Sequence, residues 1–168
     1  MSLVREFRPE QIPPRGERIA WGLVVLLLVG LGVFLALGAR IPIAYWLLQA
    51  FFTFAALSIS LGNWVDRHTS LALTAEGVRF TNGLRRVFLP WSEIREVRIA
   101  ETTLGRRVHV HSASDGFVFR TLGEVWSQGK LQGRTGFAEG EAIVDEIIHR
   151  AGLEKRGRQD DVVYYARL

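Results

Sequence analysis

The chain has 168 residues, no cysteine, and a formal charge of +4 from 21 Lys and Arg against 17 Asp and Glu. Without cysteine, disulfides and thiolate chemistry are excluded and the redox compartment stays undetermined. Residues 66–153 hold 12 Lys and Arg against 11 Asp and Glu, too even a balance for a nucleic-acid surface, which needs clustered positive charge.

The first 18 residues read as a basic tail carrying Arg5, Arg8, Arg15 and Arg18. Residues 19–39 and 41–65 then form uncharged stretches of 21 and 25 residues. Each is long enough for a helix to cross about 30 Å of hydrocarbon. Their apolar character runs round every side, which a buried pair of soluble helices does not need. The expected spans are 19–39 and 42–64, joined by a turn at Gly38–Pro42, so that residues 19–65 make a two-helix transmembrane hairpin. Trp21, Tyr45, Trp46 and Trp64 mark the span ends, where amphipathic rings sit at headgroup depth. The basic tail and Arg67 flank the hairpin while Arg40 alone lies in its turn, which predicts a multi-pass protein of the inner (cytoplasmic) membrane with both termini in the cytoplasm. A cleavable signal ending near Ala36 and Gly38 fits less well, because the apolar stretch is too long and a second span follows at once. Gly32 with Ala36 and Ala56 with Ser60 are small residues four apart that let helix backbones approach, the candidate helix-packing positions. Neither span contains an ionisable residue, which argues against an ion or proton path.

From Asp66 the period changes to two. Leu71 and Leu73, Val78 and Phe80, Val87 and Leu89, Ile94 with Val97 and Ile99, Val108 and Val110, and Phe117 and Phe119 read as six short strands. Turns fall at Ala75–Gly77, at Asn82–Gly83, where both residues tolerate positive φ, near Leu104–Gly105, and at Ser114–Gly116. Residues 123–137 lack a clear period, and a seventh strand there stays open. A helix starts near Ala138, with Ile143, Val144, Ile147, Ile148 and Ala151 on one face, basic residues in its last turn and Gly152 as its stop. Such a helix after a run of hairpins closes the open end of the strand set. In the C-terminal tail, residues 154–168, Val162–Tyr165 form an apolar patch that either adds a strand or docks on a partner.

The segment Leu71-Ala72-Leu73-Thr74-Ala75-Glu76-Gly77-Val78, then Pro90-Trp91-Ser92-Glu93-Ile94 leading to Val97, and Gly136-Phe137 before the helix resemble the bacterial pleckstrin-homology (PH-like) domain. Members of that family often carry one or two transmembrane helices directly before the domain. The resemblance implies, for residues 66–153, a mainly-β PH-like barrel of two orthogonal antiparallel sheets capped by one C-terminal α-helix. Lipid-binding PH domains place basic residues on the first two strands, whereas here Arg79 stands alone on the second, which removes the specific case for inositol phosphates.

His109 and His111 share a strand face, but His68 and His149 are not at ligand spacing, so no metal site is expected. No phosphate loop, nucleophile elbow or zinc-protease helix is present, so neither catalytic residues nor a cofactor are expected. Trp91 reads first as a cover for the barrel rim and secondly as a ligand contact. The candidate interaction surface is Arg85, Arg86, Arg95, Arg98, Arg106, Arg107 and Arg120 together with Trp91. These readings point to a non-enzymatic, membrane-anchored PH-like module that scaffolds other membrane proteins at the cytoplasmic face. The alternatives are an accessory or assembly subunit of a larger respiratory or photosynthetic complex, and a binder of anionic lipid headgroups. Membrane lipids and other membrane proteins are the expected partners, and the oligomeric state is open.

Overall fold

The computed structural model describes residues 5–11 and 14–167 and divides the chain into two compact units, Pro13–Val65 and a second built from Met1–Ile12 with Asp66–Leu168. Residues 1–4, 12, 13 and 168, which belong to the expected tails and the approach to the first helix, lie outside the described residues.

The first unit holds α1 (Arg15–Ala36) and α2 (Ile43–Arg67), both long and apolar enough to cross a membrane. At 22 and 25 residues they measure about 33 and about 37 Å. α1 starts at Arg15 rather than Ile19. Its first turn holds Glu17, which suits the positive helix end and accepts hydrogen bonds from Ser60 Oγ and Asn63 Nδ2, both at 2.7 Å. It stops at Ala36, and Gly38 takes φ +64° in the turn. Within the unit the helices pack along one seam, where Ala20, Val24 and Ala56 are buried with Phe52 against them. Trp21 Nε1 donates to Ser60 Oγ at 2.9 Å. Farther along, the Tyr45 hydroxyl donates to the Leu27 carbonyl and lies over Gly30, where a Cβ would stand 2.9 Å from it. Gln49 Nε2 donates to Thr53 Oγ1 at 3.2 Å, and its buried Oε1 has no donor among the described residues. Of the four small residues singled out, Ala56 and Ser60 fall in this seam. Gly32 and Ala36 are exposed, because the seam follows the Ala20, Val24, Leu27 and Gly30 face of α1.

In chain order the second unit runs β1 (Arg5–Phe7), β2 (Pro9–Glu10), β3 (Thr69–Leu73), β4 (Gly77–Asn82), β5 (Arg86–Pro90), β6 (Ile94–Thr102), β7 (Gly105–Ser112), β8 (Gly116–Arg120), β9 (Gly123–Ser127), β10 (Lys130–Phe137), α3 (Gly140–Ala151), β11 (Glu154–Gln159) and β12 (Val162–Ala166). Hydrogen bonding joins them into antiparallel sheets of order β1-β3-β4-β5, β2-β10-β9 and β11-β12-β6-β7-β8. The mainly-β domain with a late helix is therefore present, and the third, small sheet adds to the two that the resemblance implies.

Three segments that the sequence leaves open or reads as tail form strands. The stretch 123–137 forms the β9–β10 hairpin through Gln128 and Gly129, both at positive φ. Arg5–Phe7 pairs with Leu73–Leu71, and Val162–Ala166 pairs with Ala100–Glu96, so parts of both expected tails belong to sheets. At the Asn82–Gly83 turn only Gly83 has positive φ; Asn82 instead accepts the Arg85 backbone N–H through its side chain at 2.9 Å.

The alternating residues of β3 to β8 turn inward to one core, and α3 adds Ile143, Val144, Ile147 and Ala151. α3 ends on Gly152 in the left-handed region at φ +63°. Gly136 has φ +96°, and a Cβ there would run into the Thr121 carbonyl, so a glycine is required where β10 meets the end of β8.

Candidate functional site

Trp91 opens the turn between β5 and β6 and is half-buried against the core. Its indole N–H is shared between the carbonyls of Thr74 at 3.2 Å and Ala75 at 3.1 Å. The Arg150 guanidinium of α3 lies over the ring at 5.4 Å and donates to the Thr74 carbonyl at 2.9 Å. Arg167 donates to the carbonyls of Trp91 at 3.0 Å, Ser92 at 2.6 Å and Ala151 at 2.7 Å. The residue thus clasps the β3–β4 turn, the helix and the chain end, and its polar atom is already used.

The seven arginines of the candidate surface separate by their partners. Arg85 is ion-paired with Asp115, Arg98 with Glu96 at 2.7 Å, and Arg106 with Glu101 at 2.9 Å and Glu141 at 2.7 Å. Arg86, Arg95, Arg107 and Arg120 have no carboxylate partner among the described residues. Arg107 and Arg120 stand opposite each other on β7 and β8. The outward face of that sheet continues through Arg98, His109 and Val118, aligned across β6, β7 and β8, and Arg98 also lies 5.7 Å from the Tyr164 ring of β12. The hydrogen bond from Arg98 holds the Glu96 carboxyl below the usual carboxylate range. Burial pushes the His109 imidazole down, and the neighbouring His111, Arg107 and Arg98 push it further. His109 and His111 lie on one face with ring centroids 6.1 Å apart.

A second feature lies where the first and last sheets meet. β5 and β8 are the open edges of their sheets and run close to each other without pairing. At one end they enclose a cleft of about 650 Å³ whose lining includes Phe80, Val87, Phe117 and Val118, with Arg85 and Asp115 at its mouth. Phe80 and Phe117 are stacked with centroids 5.0 Å apart. Leu84 and Phe88 beside it are exposed, as is Val118 of its lining. Sequence reasoning missed this surface, although the signal is present: in Val87-Phe88-Leu89 and Phe117-Val118-Phe119 a period of two sends the central residue outward. Trp126 and Leu131, opposite each other on β9 and β10, are also exposed apolar residues.

Residues 68–121, which span β3 to β8, match the family described as Bacterial PH domain. Over these residues the β-rich unit is similar to a bacterial PH domain. The match takes in both edge strands of the cleft and all seven arginines singled out from the sequence. Neither the curated proteins nor the solved structures compared with the chain include a match. A PH domain is an interaction or lipid-binding module and generally not a catalyst, and here the chain also holds two helices of membrane-spanning length and composition.

Proposed function

We propose that the chain is a non-enzymatic, membrane-anchored interaction module whose PH domain holds a partner protein at the cytoplasmic membrane face. The observation that carries this is the pair of open strand edges, β5 and β8, flanked by exposed Leu84, Phe88 and Val118. An unpaired edge offers backbone donors and acceptors to an added strand, and apolar side chains beside it supply the burial that makes the addition favourable. β4, β5 and β8 carry Arg79, Arg86 and Arg120 and no acidic residue, so the complementary occupant is an extended segment that is apolar and acidic. Only His68 separates α2 from β3, so the anchor and the domain are tied by a very short link. Arg5, Arg8, Arg15, Arg18 and Arg67 against Arg40 support a cytoplasmic location for both ends.

A second reading, an accessory or assembly subunit of a larger respiratory or photosynthetic membrane complex, draws support from Gly32 and Ala36, which lie outside the α1–α2 seam. One experiment addresses both. A photo-crosslinking residue is placed at Phe88, Val118 or Gly32 in the full chain, and native membranes are irradiated, extracted gently, and analysed by size and mass spectrometry. A partner captured from Phe88 and Val118 and lost in the Phe88→Asp variant supports the first reading. Capture from Gly32 within a stoichiometric complex supports the second. Crosslinks to lipid alone from all three positions overturn both.

A further inference from the structure

The exposed large apolar side chains of the β-rich unit, among its described residues, gather in two places. Leu84, Phe88 and Val118 stand at the cleft between β5 and β8. Trp126, which is 61% exposed, and Leu131 face each other across the β9–β10 hairpin, next to its exposed turn at Gln128 and Gly129. One patch is a concavity and the other rides on a two-stranded arm. Apolar area gathered in this way marks a contact surface, whereas the same residues scattered singly would need no explanation.

The two patches belong to opposite ends of β7. Its last residues, His111 and Ser112, line the cleft, whereas its first residue, Gly105, meets Gly123 at the start of β9. No residue of β9 or β10 lines the cleft, so within one copy the arm leaves it open.

The arm also has the chemistry that the cleft asks for. β9 ends its sheet, so its outer edge, like those of β5 and β8, presents unpaired backbone donors and acceptors. Its only charged residue is Glu124, half-exposed beside Trp126, with Arg134 3.7 Å away. Beside the cleft the outward residues of β4 and β5 include Arg79 and Arg86 and no carboxylate. The other strands that end a sheet do not fit: β1 and β2 have three and two residues, and β11 carries Lys155, Arg156 and Arg158, which those arginines repel.

We infer that the occupant of the cleft is a second copy of this chain, whose β9–β10 arm seats Trp126 among Phe80, Val87, Phe117 and Val118 with Glu124 toward Arg79 and Arg86. The inference rests on the reading of the β5–β8 cleft as a protein-binding site and names its partner. Because arm and cleft are different surfaces, the contact is heterologous, and it extends copies into a row or closes them into a ring.

The chain has no cysteine, so introduced cysteines report contacts cleanly. Two differently tagged full-length copies are co-expressed, one with Ser114→Cys in the cleft lining and the other with Ser127→Cys beside Trp126, and their membranes are treated with a short bismaleimide. A mixed-tag product is expected. Trp126→Ser on the arm and Val118→Asp at the cleft are each expected to lower its yield about tenfold or more, with melting temperatures near the parent's because both side chains are exposed. Glu124→Arg is expected to lower it too, since its charge then opposes Arg79 and Arg86. A product unchanged by Trp126→Ser and Val118→Asp, or products only between two Ser114→Cys copies or two Ser127→Cys copies, overturns the inference. Photo-crosslinking from Phe88 and Val118 separates it from the reading beneath it. Capture of a different protein with no mixed-tag product overturns the inference and leaves that reading standing, whereas crosslinks to lipid alone overturn both.

Discussion

Replacing Trp91 separates a structural clasp from a surface contact. Trp91→Phe keeps a ring under Arg150 but removes the indole N–H that serves the Thr74 and Ala75 carbonyls. Loss of that shared donor costs about 1 kcal/mol, and a phenyl ring attracts the guanidinium less than an indole does, by about 0.5 kcal/mol. In a domain of this size each kcal/mol moves the melting temperature by about 4 °C or more, so Trp91→Phe is expected to melt about 4–8 °C below the parent. Trp91→Ala also abandons the ring's packing against the core, about 3–5 kcal/mol in all, and is expected to fall by about 12–20 °C. Calorimetry of the full chain in neutral detergent measures both. Arg150→Met added to either variant checks the mechanism: the double change is expected to cost less than the two single ones combined, by about 0.5–1 kcal/mol, because they share one interaction. A Trp91→Ala protein melting within about 2 °C of the parent would refute the clasp and return Trp91 to the list of surface contacts.

Other substitutions probe the backbone and the hairpin. Gly136→Ala is expected to destabilise the PH domain by more than about 2 kcal/mol, since its φ of +96° and the Thr121 carbonyl both oppose a side chain. Gly129→Asn, at φ +71° with open space around it, is expected to cost under about 1 kcal/mol in the same melt. In the hairpin, Gly30→Leu displaces the Tyr45 hydroxyl and is expected to weaken helix pairing in a detergent-unfolding assay, while Gly32→Leu leaves it unchanged. The pH dependence has two sources. Glu96 has a lowered folded-state pKa, so its contribution is present above the unfolded carboxylate value and is lost as pH falls through the folded one; this exposed pair is worth at most about 1 kcal/mol, and Arg98→Gln is expected to flatten that limb. His109 is also lowered, so stability is expected to fall as pH drops below the unfolded histidine value near 6.5, and His109→Gln removes that slope in a denaturant titration between about pH 7 and 5.

The hairpin, the six alternating strands and the amphipathic helix are legible in the sequence because each repeats a local period. Uncharged stretches of 21 and 25 residues need no tertiary information to be read as membrane-spanning, and Leu71–Leu73 or Val108–Val110 point to one core from their spacing alone. β11 is exposed on both faces along its whole length, so its residues carry no period to read. β1 is only three residues long and is a strand only because β3 offers it an edge. The same distinction divides the candidate site. An arginine-rich stretch is visible in one dimension, but whether each guanidinium meets a carboxylate depends on the register of paired strands and on where α3 packs. Arg106 meets Glu141, 35 residues away, whereas Arg107 beside it meets Arg120. Local alternation sets which face a side chain takes, and pairing across strands decides what stands next to it.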